Sequence, residues 1–247
     1  MRWVVLSDLQ VPDHDQKAVD LLTRFLVDTQ PDGLLCVGDE CDSPEPSRWN
    51  KGMAGEYAGT LQKNLDLTHK VLAQFREAIG DKPFHLMRSN HTQRLDTYIK
   101  RYAPALSGLR DIEYTKLVRL GELDITWHDR PFSFEKGWLL AHGDEGSLSR
   151  ISGSTAMALA RKWNYSVVTG HTHRMGLQHE HRSLNGRITK YLWGMETGCL
   201  MDMRKADYLG PGMAANWTVA FGTIEDGIPT PVPIVGHKIR YQGQVWE

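Results

Sequence analysis

The sequence predicts an α/β fold, and three observations carry that expectation. A short, Val-rich apolar run at residues 2–6, an amphipathic stretch at 16–29 and a second apolar run at 33–37 follow one another in the order of a βαβ unit with a parallel strand pair. The early half is helical in composition. Residues 190–247 read mostly as β.

The elements are justified in order. Residues 2–6 form a buried strand because the run is short, apolar and β-branched. Over residues 16–29, Val19, Leu22, Phe25 and Leu26 fall on one helical face and Asp15 can cap it. Residues 33–37 are a second strand, and 43–55 a polar loop containing Pro and Gly. Residues 56–79 are helical in composition and stop at 80–82; 84–87 is a third strand. A helix is expected over 92–102, ended by Pro104. Further strands are expected at 123–127, 138–141 and 166–169, with a helix over 150–163, and then at 191–195, 218–223 and 232–235. No repeat, low-complexity segment or linker interrupts the 247 residues, so one domain over residues 1–247 is expected.

Composition narrows the function. The chain is 40% hydrophobic and 24% charged with formal net charge −1, so bulk charge favours neither a general nucleic-acid binder nor an acidic tail. Residues 150–190 hold seven Lys or Arg against one acid, Glu180, which suits an anionic substrate but equally a solvated basic face. Three irregularly spaced cysteines (Cys36, Cys41, Cys199) do not describe a disulfide framework and suit a reducing compartment. The opening MRWVVLSDLQ has neither a secretory apolar core nor a spanning segment, so a cytoplasmic protein with no membrane partner is expected.

The chemistry lies after the strands. Five strand-like runs end in Ser7-Asp8-Leu9-Gln10, Gly38-Asp39-Glu40-Cys41-Asp42, Ser89-Asn90-His91, His142-Gly143-Asp144 and Gly170-His171-Thr172-His173. In open α/β sheets ligands gather outside the carboxyl ends of the strands, so these residues are expected to converge. Asp, His and an Asn carbonyl suit manganese, iron, zinc or nickel, and no thiolate set is present. Singly each piece is ordinary: an Asp after a strand is most often a cap, and a lone His is most often structural. Two imidazoles one residue apart after an apolar strand are less easily explained, and the ordered set of five least of all.

In this order the five motifs resemble those of the calcineurin-like metallophosphoesterases, which carry Asp-x-His, Gly-Asp, Gly-Asn-His, a later His and Gly-His-x-His. The resemblance covers residues 8–173. It implies a two-sheet β-sandwich flanked by helices and two divalent metal ions, manganese first among them. It also implies roles. Asp8 and His173 would bind the first metal, Asn90, His142 and His171 the second, and Asp39 both. His91 would face the scissile phosphate as a charge-stabilising or acid group. Two positions depart from the pattern. Gln10 stands where the family has His and offers only a neutral carbonyl, so the first site is expected to be weak, with His14 the nearest substitute unless it is only a turn residue. Ser89 replaces a Gly and is expected to be tolerated.

Asp42 is expected to support its loop, and Gly143 with Asp144 to orient the His142 turn. Arg94 and Arg150 are candidates for phosphate contact, although surface positions suit them better. Trp49, Trp193 and Tyr208 are candidates for a pocket or interface, with core packing as the alternative. Specificity is expected from residues 43–59, 101–119 and 176–187. The resemblance implies a metal-dependent hydrolase of phosphate esters, with a diester of a small cyclic or linear nucleotide as the preferred substrate. A DNA or RNA nuclease is the first alternative, and a binding scaffold that has lost catalysis, favoured by Gln10 alone, is the second.

Overall fold

The computed structural model describes residues 1–206 and 215–247; Tyr208 lies outside them. In chain order the regular elements are β1 (Arg2–Leu6), α1 (Gln16–Thr29), β2 (Gly33–Cys36), α2 (Leu61–Ile79), β3 (Phe84–Met87), α3 (Arg94–Tyr102), α4 (Tyr114–Leu117), β4 (Thr126–His128), β5 (Phe132–Glu135), β6 (Trp138–Leu140), α5 (Ser154–Trp163), β7 (Ser166–Thr169), β8 (Met175–Leu184), β9 (Arg187–Thr197), β10 (Ala220–Glu225), β11 (Ile228–Pro233), β12 (Ile239–Tyr241) and β13 (Gln244–Trp246). They form a six-stranded sheet in the order β11-β10-β1-β2-β3-β4, a five-stranded sheet in the order β5-β6-β7-β9-β8, and a two-stranded hairpin of β12 and β13.

The expected βαβ start is present: β1 and β2 pair in parallel across α1, whose Asp15 side chain accepts from Ala18 N. The alternation of strand side chains explains why the first run is apolar throughout. On β1, Val4 and Leu6 join the core under α1 and α2. Trp3 and Val5 face the second sheet, where they meet Trp138, Leu140, Val168 and Met195. The helix α5 covers the outer face of the second sheet through Met157, Leu159 and Ala160. The result is a two-sheet sandwich with helices on its outer faces.

Three expectations need correction. The helix predicted from residue 56 begins at Leu61, because the Glu56 carboxylate is committed to Lys51 and Gly52 N in a separate 3₁₀ turn. Residues 176–187, expected as a specificity loop, are mainly β8 and the turn into β9, a long hairpin whose exposed residues hide its strand pattern. The five strand-end motifs do not share one sheet: β1, β2 and β3 belong to the first and β6 and β7 to the second. The two sheets' carboxyl edges meet, and the site lies there.

Where β3 and β4 adjoin the sandwich interior, His85 Nδ1 lies 3.0 Å from His128 Nε2, and the His128 ring stacks on Phe132. Burial, reinforced by the facing His85, pulls His128 down to about 4. Between about pH 6.5 and 4 the unfolded chain therefore binds a proton at this position that the folded chain does not. Stability is expected to fall as pH drops through that window. His128→Asn should flatten this part of the urea-midpoint profile; a profile of unchanged slope would show that the pair is not responsible.

Candidate metal centre

Each motif turns sharply as it leaves its strand. Asp8, Gln10, Asp39, His171 and His173 all have positive φ, a conformation non-glycine residues seldom adopt and one that clusters at functional sites. Gly170 is required for the convergence: a Cβ there would stand 1.7 Å from Ser7 Oγ and 2.5 Å from Asp8 Oδ2. Gly38, at φ 105°, lets β2 pass Ser89 and the His142 ring. Ser89 is fully buried, with its hydroxyl accepting from Thr92 N, so the departure from glycine is accommodated as expected.

Asp39 is central. Its Oδ1 lies 3.5 Å from His142 Nε2, and its Oδ2 3.7 Å from His91 Nε2 and 4.0 Å from His171 Nδ1. Asp39, His142 and His171 bring ligand atoms within 4.8 Å of one another, a set able to hold a metal ion. The His142 Nδ1 is 2.9 Å from the Val37 carbonyl, which requires a proton there and leaves Nε2 as the ligand atom, 2.8 Å from Asn90 Oδ1. On the other side His173 Nε2 is 3.1 Å from Asp8 Oδ1, while Asp8 Oδ2 accepts from His171 N at 2.9 Å. Gln10 reaches between these groups, its Nε2 3.3 Å from Asp39 Oδ2 and 3.4 Å from His173 Nε2.

The residues fit a bound cation. Gln10 Oε1 and His171 Nδ1 are buried without a hydrogen bond, a costly condition that an ion or its waters would relieve. The electrostatics agree. Burial opposes the charge of Asp39, yet His91 and His142 hold its carboxyl well below the usual range. Burial likewise opposes a charged His142, but Asp39 and then Asp8 outweigh it and raise the ring to about 10. The negative field that does this favours a cation equally. The thiols are not part of it: all three cysteines are buried, and burial pushes Cys199 up to about 12.

Several supports were not legible beforehand. His91 Nδ1 stands 3.0 Å from Asp42 Oδ1, and Arg94 donates to Asp42 and, at 2.8 Å, to His91 Nε2. Asp42 and Arg94 thus hold His91. Glu145, rather than Asp144, secures the His142 turn by accepting from His142 N and Gly143 N; Asp144 instead meets Arg88. Buried Glu196 accepts from Thr172 Oγ1 and Thr155 N, fixing the turn between His171 and His173. A lone Glu inside a strand carries no sequence signal for such a role. His14 is not brought in: its Nε2 pairs with Gln16, and it pairs by a backbone bridge with Met201. Arg150 is exposed and outside the cavity, and Trp193 packs against the sandwich core.

A cavity of about 700 Å³ opens over these groups, lined by Gln10, Asp39, Asn90, His91, His171 and His173 together with Trp49 and Arg94. The five motifs thus meet at the adjoining edges of a two-sheet sandwich. No family model matches the chain. The gene 54 protein of Mycobacterium phage D29 is 36% identical over 254 residues, covering 100% of this chain and 98% of that protein. That of Mycobacterium phage L5 is 33% identical over 253 residues, with the same coverage. The chain belongs to the family of these phage gene 54 proteins. Among solved structures it is similar to zinc-complexed Vps29 of Entamoeba histolytica (14% identity, 99% of this chain and 96% of that one, TM-score 0.44). It is also similar to the nuclease MPE of Pseudomonas putida (13% identity, 93% and 86%, TM-score 0.40). Among the described residues no helix is long and apolar enough to cross a membrane.

Proposed function

We propose that the protein is a metal-dependent phosphodiesterase. The observation that carries this reading is the convergence of Asp8, Asp39, Asn90, His142, His171 and His173 from two sheets around unsatisfied buried ligand atoms, beneath an open cavity. Asp8, His173 and the Gln10 carbonyl would hold one divalent cation, Asn90, His142 and His171 a second, and Asp39 both. Manganese is the first choice, and the donor set also admits iron, zinc and nickel. When bound, such ions neutralise phosphate charge and lower the pKa of water.

The chain's own groups do the rest. Asp39 and Asp8 fix the cation positions, and Glu145 and Glu196 hold the turns that carry the histidines. His91, whose Nδ1 is held by Asp42, faces the cavity beside Asp39; once the Arg94 guanidinium turns from Nε2 to the substrate phosphate, a proton carried on Nε2 can pass to the departing oxygen. In the net reaction water adds to phosphorus, the bond to the leaving oxygen breaks, and that oxygen takes a proton. A diester is preferred because the cavity of about 700 Å³ runs from Asp39 to Trp49 and leaves room for a second substituent on the phosphate. The test compares kcat/KM on bis-p-nitrophenyl phosphate and p-nitrophenyl phosphate in manganese. Faster turnover of the diester is expected, and much faster turnover of the monoester would overturn the diester assignment.

Gln10 supplies a second prediction. The nitrogen and oxygen of an amide are interchanged by a half-turn, which would aim Oε1 at Asp39 and His173. A neutral carbonyl is a poorer ligand than an imidazole for these metals. Gln10→His should therefore tighten the weaker of two manganese-binding events, by at least the roughly tenfold typical of outer-shell changes. Unchanged stoichiometry and affinity in calorimetry would contradict the assignment of Gln10 to the first site.

A further inference from the structure

The cavity over Asp39 continues towards α3. A second cavity of about 430 Å³ shares Ser47, Trp49, Asn90 and Arg94 with the first, so the two form one groove with Trp49 at their junction. One wall is the loop carrying Arg48, Trp49 and Lys51. The other is the face of α3 carrying Arg94, Tyr98, Arg101 and Tyr102, residues spaced by three and four and hence aligned on one side of the helix.

Cations and aromatic rings alternate along this groove. The Arg48 guanidinium lies 4.6 Å from the centre of the Trp49 ring, Lys51 Nζ 4.0 Å from that of Tyr102, and Arg101 5.5 Å from the same ring. Glu56 answers Lys51, and Asp42 answers Arg94. Arg48 and Arg101 have no carboxylate partner among the described residues, so the groove carries uncompensated positive charge on a chain of net charge −1. Trp49 is 72% exposed, much apolar ring surface to leave in water beside a catalytic-type cleft. A polyanion carrying flat apolar groups is complementary to both features, and unpaired nucleobases on a phosphodiester backbone are such a ligand. A duplex suits it less, because the faces of its bases are already covered by stacking.

We propose that this groove binds a single strand of nucleic acid, so that the diester cleaved at Asp39 lies within a polynucleotide and flanking bases stack on Trp49 and the tyrosines of α3. This rests on the phosphodiesterase reading above and names its substrate class.

The test is fluorescence anisotropy of the full chain with a fluorescein-labelled thymidylate 12-mer in calcium, with probe length checked on a gel after each titration. A uridylate 12-mer and a 12-base-pair duplex form the other arms. Single strands should bind about tenfold or more tighter than the duplex, and affinity should fall with added salt. Trp49→Ala and the double variant Arg48→Ala/Arg101→Ala should each weaken single-strand binding about tenfold, with circular dichroism confirming that both remain folded. The DNA and RNA arms decide which sugar is preferred; tight binding of either supports the proposal. Duplex binding as tight as single-strand binding, or variants that bind like the parent protein, would overturn it. The two readings fail separately. Manganese-dependent cleavage of bis-p-nitrophenyl phosphate with variant-insensitive strand binding removes the groove and leaves the phosphodiesterase. Variant-sensitive strand binding with no diester cleaved does the reverse.

Discussion

Asp39→Ala is expected to lower manganese-dependent hydrolysis at least about a thousandfold, the equivalent of roughly 4 kcal/mol of barrier. Asp39 stands between both halves of the site: its oxygens lie 3.5 Å from His142, 3.3 Å from Gln10 and 4.0 Å from His171. In the proposed site, replacing it by alanine removes a ligand from each cation position. It also removes the charge that raises His142, leaving a ring that titrates lower and a weaker field for cations. Metal content should fall with activity, measured by elemental analysis of protein dialysed against manganese. A variant that keeps most of its activity, or its full metal complement, would refute the central role given to Asp39.

Gly170→Ala is expected to damage both fold and site. The new methyl would lie 1.7 Å from Ser7 Oγ and 2.5 Å from Asp8 Oδ2. Neither neighbour can easily retreat: both are fully buried, and Asp8 Oδ2 already accepts from His171 N and Ser7 Oγ. Either the end of β1 or the turn carrying His171 and His173 must shift. Overpacking of this kind costs about 3 kcal/mol at the upper end of its usual range, which for a chain of this size lowers Tm by roughly 6–12 °C. Manganese affinity should fall as well, because Asp8 and His171 move apart. A thermal scan with unchanged Tm and full metal binding would show that the close approach is not required.

These two positions also mark how far the sequence could be read. Asp39 and Gly170 were visible as parts of Gly-Asp and Gly-His-x-His motifs, because metal chemistry demands particular residue types directly after a strand. The β1-α1-β2 unit was legible for a related reason: strands buried on both faces are apolar throughout, and α1 shows a clean 3.6-residue period. The hairpin of β8 and β9 was not legible over residues 176–187, because Glu180, Arg182 and Arg187 face solvent and impose no alternation. The hold of Asp42 on His91 and Arg94 depends on contacts 49 and 52 residues apart along the chain, and that of Glu196 on Thr172 on one 24 residues apart. Local pattern cannot report such contacts. The same holds for the groove at Trp49, which joins a polar loop to one face of α3. Residues 43–59, Arg94 and residues 101–119 were each legible as candidates for specificity or phosphate contact, but their meeting in one groove emerged only from the fold.

The most direct test of a working metal centre is hydrolysis of bis-p-nitrophenyl phosphate by metal-stripped protein, with and without added manganese. Nitrophenol release that depends on manganese, and disappears again on chelation, is expected. Absence of release from protein that has demonstrably bound manganese at Asp39 would contradict a phosphodiesterase and leave a metal-binding scaffold in its place.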